Sequence, residues 1–188
     1  MRNLSTKILS ILVILLLSSS VFSQKNKQEY TAPDIPKSPK TGLISYSGVV
    51  EQAGTAKELK EKAMKWYRSY FKNSANILKK NTETEFSARP RFKIVNPKDK
   101  KGVATMAGTI LYTIDLKFKD GKYRYELTNI IKKAQSKYPI EKWLNTQSKT
   151  YKNVYAYYLI QVDEHMKKVI SDLKKAMAAE KQENNDDW

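Results

Sequence analysis

Hydrophobic and polar side chains alternate along two neighbouring runs in the middle of the chain, over residues 108–131. The dipeptide Asp120-Gly121 separates the runs and suits a two-residue hairpin turn in which both central residues take positive φ. Such a turn brings three apolar pairs onto one face: Phe118 with Tyr123, Leu116 with Tyr125, and Ile114 with Leu127. The other face then carries six polar side chains: Thr113, Asp115, Lys117, Arg124, Glu126 and Thr128. The pattern predicts an antiparallel ribbon with one buried face and one open face.

Two other patterns have helical spacing. Thr55 and Glu58 form a capping box, and the apolar residues that follow predict a helix over Ala56–Phe71: Leu59, Ala63, Trp66, Tyr67 and Tyr70. A longer apolar stripe predicts a second helix over Val154–Glu180, with Asn153 as its cap: Tyr155, Leu159, Val162, Met166, Val169, Leu173 and Met177.

Shorter segments complete the predicted order of elements. Leu43–Val50 and Ile77–Lys80 are β-prone, and Phe86–Val95 predicts a strand that Pro90 breaks or places at an edge. Residues 96–102 predict a basic loop. After the hairpin, residues 132–139 are expected to leave the sheet, before one helical turn over Ile140–Leu144 and a polar loop over residues 145–152.

The N-terminus has the parts of a secretory signal peptide: a basic start, an apolar run from Ile8 to Leu17, and a small-residue end. Val21 and Ser23 fit the small-residue rule, so cleavage is expected between Ser23 and Gln24. The apolar run is shorter than the about 20 residues of a transmembrane helix, although an uncleaved anchor is the alternative. We therefore expect export to the periplasm or the cell exterior, with no transmembrane segment in the mature form.

Composition divides the rest of the chain. Three prolines in residues 24–41 predict an extended linker, residues 42–181 predict a single α+β domain, and residues 182–188 predict an acidic, frayed tail. The chain has no cysteine and a single histidine, which argues against a structural zinc site. No metal site and no cofactor are expected.

The formal net charge of +16 favours anionic surfaces such as lipid headgroups, acidic glycans or nucleic acid. The alternative is that lysines simply keep an exported protein in solution. Only five of the basic residues are arginine, the residue whose bidentate fork suits phosphate recognition, so the second interpretation is preferred.

Several of these segments together resemble a family of exported bacterial proteins described as a domain of unknown function with a TATA-binding-protein-like fold. The resemblance rests on Ile44–Val50, the capped helix with Trp66 and Phe71, Gly108–Ile114 and Asp120–Tyr125. It implies a curved antiparallel sheet of about four to five strands with two helices on one face, in the order β-α-β(n)-α. It implies no activity. Residues 86–102 depart from the resemblance, because they are longer and more basic than expected.

The DNA binding that the family description suggests is not expected. A minor-groove saddle needs an apolar sheet face with wedging phenylalanines. Here the open face carries Asp115 and Glu126, whose carboxylates would repel phosphate.

Two groups of residues have catalytic chemistry. Asp115 and Glu126 lie opposite each other across the predicted hairpin, but Lys117 and Arg124 on the diagonals make them an exposed charge lattice rather than an acid–base pair. His165 lies on the flank of the long helix without a nucleophile or metal partner, so it is expected to be a packing residue at the core boundary. No catalytic motif is present, and we expect a non-catalytic protein.

The leading expectation is a binding module that contacts an unknown protein or envelope component through its open polar face. The alternative is electrostatic attachment to anionic envelope material, either lipid headgroups or acidic glycans, through Arg89, Arg91, Lys98, Lys100 and Lys101. Tyr151, Tyr157 and Tyr158 lie off the apolar stripe and could form an aromatic patch. A hydrolase whose site the sequence hides is the third and weakest class.

Overall fold

The computed structural model describes residues 29–134 and 137–179. The predicted signal peptide and its cleavage position, the first part of the predicted linker and the predicted acidic tail lie outside these residues. The described residues form seven strands: β1 (Tyr46–Glu51), β2 (Leu78–Asn81), β3 (Glu85–Ala88), β4 (Arg91–Val95), β5 (Met106–Lys119), β6 (Lys122–Lys133) and β7 (Lys137–Pro139). The helices are α1 (Ala56–Tyr70), the single turn α2 (Ser74–Ile77), a 3₁₀ helix (Ile140–Leu144) and α3 (Val154–Ala178).

The strands form one antiparallel sheet around the long β5–β6 hairpin. Its order is β1-β6-β5-β3-β2, with β4 paired to β5 beside β3 and β7 paired to β6 beside β1. The sheet is larger than the predicted four to five strands for two reasons. The Arg89-Pro90 step divides the segment around residues 86–95 into β3 and β4. Residues 137–139, which were expected to leave the sheet, return to it as β7.

The predicted hairpin register is confirmed. Phe118 pairs with Tyr123 and Leu116 with Tyr125, while Asp115 pairs with Glu126 on the opposite face. The turn differs from the prediction in one respect, because Gly121 has φ +76° but Asp120 is not among the residues with positive φ. The side chain of Asp120 instead accepts a hydrogen bond from the first residue of α1.

The hairpin turn is joined to the start of α1. The Asp120 carboxylate accepts a hydrogen bond of 2.8 Å from the backbone N–H of Ala56. The Gly121 N–H donates to the carbonyl of Gly54, and the Gln52 N–H donates to the carbonyl of Gly121. Thr55 and Glu58 form the predicted capping box, so the first turn of α1 has both local and distant acceptors.

Helices α1 and α3 cover the face of the sheet that carries Ile114, Leu116 and Leu127. The predicted apolar stripe of α3 is buried from Leu159 to Met177, and α1 buries Leu59, Ala63, Met64, Trp66 and Tyr67. These side chains and the inward-facing side chains of β5 and β6 form one core cluster. Both predicted helices are confirmed to within two residues at each end.

Among the residues that the structure describes, one charged side chain, Asp163, is buried in this core. The Asp163 carboxylate of α3 accepts hydrogen bonds from the Tyr46 hydroxyl at 3.0 Å and from Lys167 Nζ at 2.6 Å. Burial, and then the neighbouring Asp163 charge, raise the pKa of Tyr46 well above its usual range. Tyr46 therefore remains a neutral donor that ties β1 to α3.

The core also contains residues that the sequence patterns did not place there. Ile35 lies in the segment predicted as a linker, yet it is buried in the core cluster, and the Ser45 N–H donates to the carbonyl of Pro36. Within β6, Asn129 has φ +51°, and the β5–β6 pairing shifts by one residue at this point. The shift places Ile131 opposite Leu111, on the face that carries Thr113 and Thr128.

Candidate functional site

The face of the sheet turned away from α1 and α3 is the candidate site, and we call it the open face. All six residues predicted for this face lie on it, with Lys117 and Arg124 exposed and the others half-buried. Adjacent strands extend it into two rows of four residues: Val49, Arg124, Lys117 and Glu85, and Ser47, Glu126, Asp115 and Ser87.

Cations dominate the first row and carboxylates the second, so opposite charges lie next to each other between the rows. Arg124 Nη2 lies 3.2 Å from Glu126 Oε2, and Lys117 Nζ lies 3.9 Å from Glu85 Oε2. Lys80 also forms an ion pair with Glu85 and, chiefly through its hydrogen bond, lowers the pKa of that carboxyl. These cations offset the like charges of Asp115 and Glu126, which face each other directly. The open face is a charge lattice, as the sequence predicted.

A shallow groove of about 360 Å³ crosses the open face near the hairpin turn. Its lining includes Val49, Glu85 and four basic residues: Lys117, Lys119, Lys122 and Arg124. The Val49 side chain is 61% exposed and provides an apolar contact among the charges. Alternation in β1 could have identified Val49 as an outward-facing apolar residue.

The other residue with catalytic chemistry lies on the opposite side of the sheet. The His165 ring of α3 stacks on Phe92 with ring centroids 3.7 Å apart, and its Nε2 lies 3.3 Å from the Tyr112 hydroxyl. Burial, and then the charge of Lys168, lower the pKa of His165 to about 4. The prediction of a packing residue is confirmed. His165 and Asp115 do not converge on one site, because the sheet separates them.

The five residues predicted as an anion-contact loop are not brought together. Arg89 is half-buried between β3 and β4, and Arg91 begins β4. The lysines lie beyond the other end of β4, a strand about 15 Å long. Only Lys98, Lys100 and Lys101 form a cluster, and all three are exposed.

These lysines lie in the connection between β4 and β5. Residues 98–106, which end at the first residue of β5, are all exposed and are called the β4–β5 tip below. Its base is fixed by α3. Gln161 accepts a hydrogen bond from the Val95 N–H and donates one to the Val95 carbonyl. The Tyr158 hydroxyl donates to Asn96 Oδ1, and the Asn96 N–H donates to the carbonyl of Thr105.

The predicted aromatic patch is only partly present. Tyr158 was expected off the apolar stripe, but it is buried, with its ring centroid 5.5 Å from that of Trp143 in the 3₁₀ helix. Tyr151 and Tyr157 are half-buried, and the ring of Tyr157 packs against that of Tyr30 with their centroids 4.7 Å apart. The prediction for Tyr158 was wrong because α3 packs against the 3₁₀ helix as well as the sheet.

A second and larger groove, of about 1110 Å³, runs along α1 beside the β2–β3 turn. Its charged lining residues have both signs: Lys57, Lys60, Lys65, Arg68, Glu61, Glu83 and Asp120. Lys60 Nζ donates to the carbonyl of Thr82 across the groove. Among the residues that the structure describes, no cluster of acidic or histidine side chains could hold a metal ion. In the same residues, no helix has the length and apolar character needed to cross a membrane.

The region from β1 to β6, which includes helix α1, matches the model of a known protein family. Residues 46–132 match the model described as "Domain of unknown function (DUF4468) with TBP-like fold". Residues 46–132 of this chain are similar to that domain. The resemblance predicted from the sequence is therefore confirmed, and the matched DUF4468 region runs from β1 to the end of the β5–β6 hairpin.

Two solved structures have the same fold. A DUF4468 family protein from Bacteroides ovatus superposes with a TM-score of 0.63 at 17% identity, over 81% of this chain and 95% of that one. A TBP-like protein from Parabacteroides distasonis gives a TM-score of 0.51 at 13% identity, over 74% of this chain and 97% of that one. The comparison with curated proteins gives no match.

Proposed function

We propose that this protein is an exported, non-catalytic interaction module that binds a protein of the envelope or the cell exterior on its open face. The observation that carries the proposal is the contrast between the two faces of the sheet. One face is buried under α1 and α3, whereas the other leaves charged residues and Val49 exposed.

The chemistry of the open face favours a protein partner over a uniformly charged polymer. Cations and carboxylates lie within a few ångströms of each other, so an anionic polymer would meet Asp115 and Glu126 as well as the basic residues. A folded protein surface can match both signs, and such complementarity sets register and specificity more than affinity. Val49 supplies an apolar contact beside the groove.

Site-specific photo-crosslinking in the native cell tests the proposal. A photoreactive amino acid at Asp115 would lie on the open face, and the same amino acid at Glu61 would lie on the exposed side of α1. We expect one defined protein adduct from position 115 and none of the same mass from position 61. An adduct that forms equally from both positions, or only from position 61, would contradict a partner on the open face.

The β4–β5 tip supports a second candidate function, which is electrostatic attachment to anionic envelope material. Lys98, Lys100 and Lys101 are exposed, while the Asp99 carboxylate between them accepts hydrogen bonds from the N–H groups of Lys101 and Val103. The tip therefore presents ammonium groups outwards and uses its carboxylate internally. Retention on an anionic matrix that falls with added salt would support this function, since salt screens exposed charges.

A further inference from the structure

We propose that the β4–β5 tip docks on an anionic lipid bilayer and inserts two apolar side chains into it. The inference rests on the second candidate function and specifies its ligand as a membrane surface. The side chains are Val103, 53% exposed, and Met106, 62% exposed, in the same short segment as the three lysines.

Exposed apolar side chains distinguish a bilayer from the other anionic materials. Lysines attract lipid headgroups and acidic glycans alike, but only a bilayer offers hydrocarbon beneath its charged surface. Basic residues next to apolar ones are the composition of protein segments that lie in the membrane interface. The tip combines both kinds of residue within nine positions of the chain, residues 98–106.

The backbone of the tip is prepared for a less polar environment. The Asp99 and Val103 backbones are joined by an N–H to carbonyl hydrogen bond of 2.9 Å, and Gly102 donates to the carbonyl of Asp99. The Asp99 carboxylate accepts hydrogen bonds from the N–H groups of Lys101 and Val103. Because unpaired backbone groups are costly in lipid, these bonds lower the cost of bringing the tip into the interface.

The position of the tip leaves the rest of the domain free. Its base is held by Gln161 and Tyr158 of α3, at the far end of β5 from the groove beside Val49. A domain attached through the tip could therefore still offer the open face near the hairpin turn to a protein partner.

Vesicle sedimentation with matched variants tests the inference. The probes are phosphatidylcholine vesicles with and without phosphatidylglycerol, and heparin serves as the acidic-glycan control. Val103→Ser with Met106→Ser removes the apolar side chains and keeps the lysines. Leu43→Ser with Val49→Ser is the control, because these two side chains are similarly exposed but lie outside the tip.

We expect the tip variant to bind anionic vesicles more weakly by about tenfold for each side chain that is fully inserted, with heparin binding unchanged. The control variant should bind vesicles like the wild type. Changing Lys98, Lys100 and Lys101 to glutamine should weaken both interactions, by about fivefold per lysine on vesicles.

The outcomes distinguish insertion of the apolar side chains from electrostatic attachment alone. If the tip variant binds anionic vesicles as the wild type does, or the wild type binds heparin alone, insertion is refuted while electrostatic attachment stands. If the lysine variant keeps both interactions, or the wild type binds neither probe, attachment through this tip is refuted as well.

A fluorescence experiment gives an independent readout, because the chain has no cysteine of its own. A polarity-sensitive dye attached to Met106→Cys should shift to shorter wavelength on anionic vesicles, whereas the dye on Val49→Cys should not. Equal spectra at the two positions would overturn the inference.

Discussion

Gly48 in the edge strand β1 is the position where the structure reverses an ordinary expectation. Alanine normally stabilises a strand relative to glycine by about 0.5–1 kcal/mol, because glycine loses more backbone entropy on folding. Gly48 pairs directly with Tyr125 of β6, and the tyrosine ring lies over the glycine. A Cβ at position 48 would lie 2.6 Å from Tyr125 Oη and 2.8 Å from Cζ.

The ring has little room to move away. Tyr125 is 7% exposed, and Lys174 Nζ lies 5.6 Å from the ring centroid. Displacing a packed side chain costs about 1–3 kcal/mol, which exceeds the entropic gain of alanine. We therefore expect Gly48→Ala to destabilise the protein by about 1–2 kcal/mol. For a chain of this size, the melting temperature should fall by roughly 2–8 °C.

A double-mutant cycle measured by urea unfolding tests the cause. In a Tyr125→Ala background the ring is absent, so Gly48→Ala should become neutral or stabilising by up to about 1 kcal/mol. The coupling between the two positions should be about 1–3 kcal/mol. Ser47→Ala, the neighbouring residue on the open face, serves as a control and should change stability by less than about 0.5 kcal/mol. Additive effects at 48 and 125 would refute the steric explanation.

Three further predictions follow from contacts described above. Asp120→Ala removes the acceptor of the Ala56 N–H and should lower the unfolding free energy by about 1 kcal/mol. The control Asp115→Ala should change it by less than about half as much. Equal losses in urea unfolding would contradict the capping role. Because the folded state holds the pKa of His165 at about 4, below the unfolded value, stability should be fully present above pH about 6.5 and fall by roughly 2–3 kcal/mol by pH 4.5. In His165→Gln this part of the pH dependence should disappear, and an unchanged acid profile would count against it. Gln161→Ala should speed amide exchange over residues 95–106, and unaltered exchange there would show that Gln161 does not fix the base of the tip.

Local patterns predicted what depends on nearby residues. The hairpin register follows from alternation on either side of a two-residue turn, and the capping box joins Thr55 to Glu58 three positions away. The open face was predictable for the same reason, since a period of two assigns each side chain to one face.

Contacts between distant segments were not predictable in this way. The Asp120–Ala56 hydrogen bond joins residues 64 positions apart, and the Gln161–Val95 pair joins residues 66 apart. Ile35 is a single apolar residue among prolines, so it has no periodicity that could indicate burial. Tyr158 was misassigned because a single stripe on α3 ignores the second surface formed by the 3₁₀ helix.

The candidate site was likewise predictable only where it depends on residues that are close in sequence. The lysines of the tip were evident from composition, but composition does not indicate that Val103 and Met106 are exposed. Arg89 and Arg91 were grouped with these lysines because they are close in sequence. The intervening strand β4 separates them in space.

The hairpin turn is hydrogen-bonded both to the start of α1 and to the residue after β1, and these bonds limit where the chain can be redesigned. New termini or an inserted epitope between Asp120 and Gly121 would displace a carboxylate and two backbone partners on which the first turn of α1 and the end of β1 depend. Circular permutation at this turn should therefore fail, although it looks like an ordinary surface hairpin. The largely exposed segment over residues 145–152 is the better position for a reporter.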